Sequence, residues 1–180
     1  ETSRNRCFAT RGTAERLFAE STTPTTILRV GMVLGEGDYA VQALRRRAAR
    51  SLNFTFRASS LEQPIDARDL VESITLHLGA TANGTSDVAG PESLTRAQLI
   101  SRAAIVCGRT TRVLSVPLAV GKAVAWLLEQ VMQVPPVSRD MLDVLDHDDA
   151  LSPTASEAAL GAPLTPLDVT LARVLLSTPG

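Results

Sequence analysis

The chain has 180 residues, 44% of them hydrophobic, which is enough apolar material to bury one core. A formal net charge of −1 and a sequence pI near 6.2 argue against a nucleic-acid footprint. Neither a secretory leader nor an unbroken apolar run of membrane-spanning length is seen, so a soluble or at most peripheral chain is expected.

In chain order, Thr10–Ser21 reads as an amphipathic helix with Ala14, Leu17 and Phe18 on one face, ended by Thr22-Thr23-Pro24. Thr25–Asp38, TTILRVGMVLGEGD, then reads as a buried parallel strand at Thr25–Val30 delivering a loop that carries Gly31, Gly35 and Gly37. Tyr39–Ser51 is helical by pattern, with Arg45, Arg46, Arg47 and Arg50 as a solvated face, and Asn53–Phe56 is a short strand. In Arg68–Leu78, Leu70, Val71, Ile74 and Leu78 recur at helical spacing, and Asp69 sits in the first turn, where free amides favour a carboxylate. Asn83-Gly84 turns the chain into a strand at Thr85–Ala89, which Gly90-Pro91 closes.

The next helix is the best specified. Thr95 and Gln98 form a capping box, Leu99, Ile100, Ala103 and Val106 supply the buried stripe, and Cys107-Gly108 ends it. Arg112–Val116 is a strand stopped by Pro117. Leu118–Met132 is helical and apolar nearly all round, so it is expected to be buried on several sides or to face a protein partner, with Trp126 in core or interface. Short helices are expected after Ser138, at Ser152-Pro153, and after Thr165-Pro166, with Thr165 as cap and Pro166 as first helical residue. Strands alternating with helices predict an α/β fold with a helical tail.

Little chemistry announces itself. Cys7 and Cys107 match no metal or redox spacing, which leaves reduced thiols in a cytoplasmic setting. Asp146-His147-Asp148-Asp149 fits no calcium loop and reads as a solvated acidic turn, so no metal is expected. A dinucleotide-binding turn needs closely spaced glycines opening a helix; Gly31, Gly35 and Gly37 lack that spacing and are not by themselves a phosphate cradle. Tyr39 is placed to cap a pocket beside the loop, and His77 is a surface or boundary residue.

The order of these elements resembles a known family. RGTAERLFAESTTPTTILRVGMVLGEGD is similar to the segment of extended and atypical short-chain dehydrogenase/reductases, relatives of the NAD-dependent epimerases and dehydratases, in which the Tyr-x-x-x-Lys helix passes into the sixth strand. QPIDARDLVESI and DVAGPESLTRAQLI resemble the return to the core and the substrate-side strand, turn and helix. The tail from Val134 resembles the branch related to the NADPH-holding accessory subunit of respiratory complex I.

The resemblance implies the C-terminal part of a Rossmann-like doubly wound sheet. Residues 1–80 would supply distal Rossmann strands and helices, and 81–180 a small mixed α/β substrate-side lobe with a helical tail, all in one domain. The glycine fingerprint would lie in about a hundred further residues upstream, and with no initiator Met a fragment or processed chain is expected. The cofactor implied is NADP or NAD, touched here by Arg11, Val30, Gly31, Met32 and Val33. The family's tyrosine and lysine fall on Cys7 and Arg11, and Val30 stands where the family has proline. Arginine keeps a positive charge but not a tunable pKa, and a thiol cannot replace a phenol as proton donor.

Three readings follow. One is an NAD(P)(H)-binding protein with degenerate or no catalysis, located in the cytoplasm or peripherally at an inner membrane as the complex I branch implies. Another is an active oxidoreductase or epimerase acting on a small carbonyl or isoprenoid-like substrate. The last is a non-enzymatic interaction module using Leu118–Met132.

Overall fold

The computed structural model describes residues 6–78, 84–132, 156–157 and 163–177; the side chains of residues 6–8, 124 and 127–129 lie outside that description. The elements run α1 (Arg6–Ala19), β1 (Thr26–Val30), β2 (Val33–Leu34), α2 (Tyr39–Ala48), β3 (Leu52–Phe56), β4 (Leu61–Glu62), β5 (Ile65–Asp66) and α3 (Ala67–Leu78). They continue with β6 (Gly84–Val88), β7 (Leu94–Thr95), α4 (Arg96–Val106), β8 (Arg112–Val116), α5 (Leu118–Val131) and α6 (Leu167–Leu176). The helices expected after Ser138 and at Ser152-Pro153 lie outside the described residues.

β1 pairs in parallel with β6, from Thr26 opposite Gly84 to Val30 opposite Val88. β2 pairs in parallel with β5 and β3 with β8, while β4 and β7 are antiparallel. Successive residues of a strand point to opposite faces. Thr26, Leu28 and Val30 accordingly line one hollow with Leu70, Ile74 and Leu78 of α3, whereas Arg29 reaches Glu15 of α1 on the other side. A helix on each face of a parallel pair is the doubly wound arrangement, and the chain has the C-terminal part of a Rossmann-like sheet.

The main core lies where α2, α4 and α6 meet. Val41 and Leu44, Leu99 and Ile100, and Leu167 and Leu171 pack there with Leu34 of β2 and Leu94 of β7. Each such side chain contributes about 1.5–3 kcal/mol on burial. A smaller cluster of Ile65, Val88 and Leu164 seats Leu28, Val30 and Val33 beneath the parallel strands. The α4 capping box forms as expected, with Gln98 N–H donating to Thr95 Oγ1 and Thr95 N–H to Gln98 Oε1. Gly108, at φ +69°, follows α4 in the left-handed conformation that glycine adopts freely.

Several expectations are corrected. β1 is half-buried, with Arg29 exposed, rather than buried. Helix α3 buries Asp69 and Ser73 and leaves Val71, Ile74 and Leu78 exposed, so its apolar stripe is largely uncovered among the described residues. Leu17 and Phe18 of α1 are exposed as well. Trp126 is half exposed and no core residue. Tyr39 is 80% exposed, with Arg46 5.9 Å above its ring, and caps no pocket among the described residues. Thr165 does not cap α6: Pro166 takes that place without a side-chain bond, and the Thr165 hydroxyl goes to Asp69. Asp69 therefore spends its carboxylate on a chain crossing rather than on its own helix, accepting from Thr165 N–H at 2.8 Å and Thr165 Oγ1 at 2.7 Å.

Candidate functional site

Ligands of open α/β sheets bind beyond the carboxyl ends of the strands. Here β1 ends at Val30 and β6 at Val88, side by side. Beyond them run Gly31-Met32 and Ala89-Gly90. Gly31 is exposed, so its bare Cα leaves room for a flat group to approach. Met32 is half-buried against the main core, and its carbonyl accepts the Ile65 N–H at 2.9 Å. Val33 then pairs with Ile65. Val30, Gly31, Met32 and Val33 thus follow one another from the end of β1 into β2. On the β6 side, Gly90 crosses the chain so closely that a side chain there would collide with the Pro64 carbonyl. Gln63 secures this crossing, its Nε2 donating to Gly90 O at 2.8 Å.

Helix α1 carries the remaining sequence-predicted residues. Arg29 donates to both Glu15 oxygens, at 3.1 and 2.6 Å, which holds α1 against β1. That hydrogen bond holds the exposed Glu15 carboxyl below its usual value. Arg11 lies one turn before Glu15 on α1. Arg11 is exposed. The side chain of Cys7 lies outside the described residues.

The glycine loop is closed from within. Asp38 caps α2 by accepting from Val41 N–H, and also from Gly35 N–H, each at 2.6 Å. Those amides, which an anion would need, are occupied. Behind the loop stands an ion-pair group that the sequence did not reveal. Arg173 of α6 donates to Asp66 of β5 and to Glu36 of the loop, and Arg68 also donates to Glu36. Burial pushes the Asp66 carboxyl up, but Arg173, the Arg68 amide and Thr170 more than offset this and hold it below its ordinary value. No signal in the sequence joins Arg173 to residues more than a hundred positions earlier. The Gly90-Pro91 turn was legible, but its crossing with Pro64 was not. His77, expected at the surface or boundary, is half-buried with Nδ1 2.7 Å from Ser73 O. Among the described residues no group of three or more His, Cys, Asp or Glu is arranged to hold a metal, and no helix is long and apolar enough to cross a membrane.

No protein-family model and no curated protein sequence matches the chain. Solved structures do. The human epimerase family protein SDR39U1 (isoform 2), solved with NADPH, aligns at TM-score 0.63 and 20% identity over 88% of this chain and 50% of its own. The Thermus thermophilus UDP-glucose 4-epimerase in complex with NAD aligns at TM-score 0.62 and 15% identity over 93% and 50%. Citrobacter sp. triphenylmethane reductase aligns at TM-score 0.66 and 18% identity over 91% and 57%. The chain spans about half the length of the structures it matches, 50% in the first two cases. Its fold is that of the aligned epimerases and reductases, of whose Rossmann-like architecture it spans about half.

Proposed function

We propose that this chain is the distal part of an NAD(P)(H)-binding, reductase-fold protein that holds its dinucleotide with little or no turnover. The observation that carries this is the setting of the β1–β6 parallel pair between two helices. Among the described residues β1 has β6 as its sole strand neighbour, and the helices on its two faces leave Leu17 and Phe18 of α1 and Val71, Ile74 and Leu78 of α3 uncovered. A parallel pair between helices that leave apolar side chains exposed is what a further parallel strand with its helices would cover. A second strand-helix half, with the glycine turn that cradles a pyrophosphate, would complete the sheet there.

The residues at the strand ends suit such a cofactor. Gly31 admits a flat ring, Val30, Met32 and Val33 give it apolar walls, and Arg11 offers a permanent cation to ribose or phosphate oxygens. When bound, the dinucleotide would supply hydride chemistry, while these residues orient it and exclude water. Arg11 cannot serve as the lysine of an acid/base pair, and this supports binding without turnover. The structures aligned with NADPH and NAD add support for the cofactor class.

NADPH fluorescence titration tests the reading on the chain joined to its natural preceding sequence, alongside carbonyl-substrate turnover. Saturable binding without turnover is expected. Failure to bind would remove the reading, and turnover would replace it with an active oxidoreductase or epimerase.

A further inference from the structure

Away from the strand ends, α2 and α4 terminate side by side. An open hollow of about 540 Å3 between their last turns is lined by Arg50, Ser51, Ile105, Gly108, Arg109 and Thr110. Arg112 opens β8 at the same rim, its N–H donating to Ser51 O at 2.9 Å. Among the described residues no carboxylate pairs with Arg50, Arg109 or Arg112, and the Arg50 and Arg112 side chains make no other polar contact.

The plain alternative is that these arginines complement two helix ends, and in part they do: Arg109 Nη1 donates to Ala49 O at 3.1 Å. A helix C-terminus, however, carries only about half a negative charge. Two of them offset about one of the two guanidiniums that line the hollow, leaving about one positive charge around a cavity with no acid in its lining. Crowding shows next door: burial and then Arg96, with a contribution from Arg50, hold the Arg47 guanidinium below its ordinary value despite Glu62.

We propose that this hollow binds a small phosphate-bearing anion, a phosphate ester or diphosphate, held by Arg50 and Arg109. The chemistry fits point by point. Guanidinium forks match phosphate oxygens, and the Ser51 and Thr110 hydroxyls add neutral donors. Ile105, 67% exposed, gives an apolar wall for the organic part of an ester. The site is separate from the strand ends and does not depend on the dinucleotide reading.

The test is calorimetric titration of the full chain with sodium pyrophosphate, followed by amide NMR, with phosphatidylglycerol vesicles as a second arm. Saturable pyrophosphate binding that weakens with added salt is expected, with shifts at Ser51 and Gly108–Thr110. Arg50→Gln should weaken binding about tenfold, the loss of one charge-assisted contact, while leaving the unfolding midpoint unchanged. No saturable binding, undiminished binding in Arg50→Gln, shifts confined to Gly31–Val33, or binding to vesicles without binding to pyrophosphate would each overturn the proposal.

Discussion

Arg173 Nη2 donates to both carboxylate oxygens of Asp66, at 2.6 and 2.5 Å, joining residues 107 positions apart. The Asp66 side chain is 1% exposed and that of Arg173 20%, so the pair is largely out of water. Breaking such a pair strands a buried charge and costs about 3–5 kcal/mol. Arg173→Met should lower stability toward the low end of that range, because Thr170 and the Arg68 amide still serve Asp66. Asp66→Asn with Arg173→Met should recover part of the loss. Urea unfolding decides it; a single variant that loses less than about 1 kcal/mol would show that the clamp matters little.

The same pair sets an acid limit. The folded-state pKa of Asp66 lies below its ordinary value of 3.8, so the unfolded chain takes up this proton more readily than the native state. Its stabilisation is complete well above pH 3.8 and disappears as the pH falls through the depressed native value. Unfolding free energy should therefore fall more steeply with acid in the parent chain than in Asp66→Asn. Parallel slopes below about pH 4 would contradict this.

Gly90 and Gly121 offer a controlled comparison. A methyl at Gly90 meets Pro64 backbone, which cannot yield without shifting β5, whereas one at Gly121 meets the Phe56 ring at 2.7 Å, a side chain able to turn. Gly90→Ala should cost about 3 kcal/mol or more and Gly121→Ala about 1, read from thermal unfolding. Equal costs would argue that the Gly90 crossing can relax.

The α3 stripe gives a test of the proposed strand neighbour. Val71 is 61% and Leu78 80% exposed, so Val71→Glu and Leu78→Glu should change the stability of this chain by no more than about 0.5 kcal/mol. They should raise its solubility. In the chain joined to its preceding sequence, the same changes should weaken NADPH binding by disrupting the completed sheet. Unchanged binding there would mean that α3 is not covered by the second half.

What could be read without coordinates was local. The Thr95 and Gln98 box, the glycine after α4, the five-residue strands at Thr26–Val30 and Arg112–Val116 and the helix from Leu167 all rest on neighbours within a turn or two. The family's order of elements was legible for the same reason, being a succession of local signals. β2, β4, β5 and β7 have two residues each, too few to show a period, and they exist through their partners.

The amino-acid sequence by itself determined the alternation of strands and helices, the caps, and the glycine-bearing turn after the first strand, because these depend on backbone preferences and side-chain spacing over a few residues. Tertiary structure alone decided which face of α3 turned inward, that Asp69 would serve Thr165, that Arg173 would clamp Asp66, and that arginines without a carboxylate partner would surround one hollow. Each of these is an energy of desolvation or charge pairing between residues distant in the chain, and its sign depends on what folding places beside them.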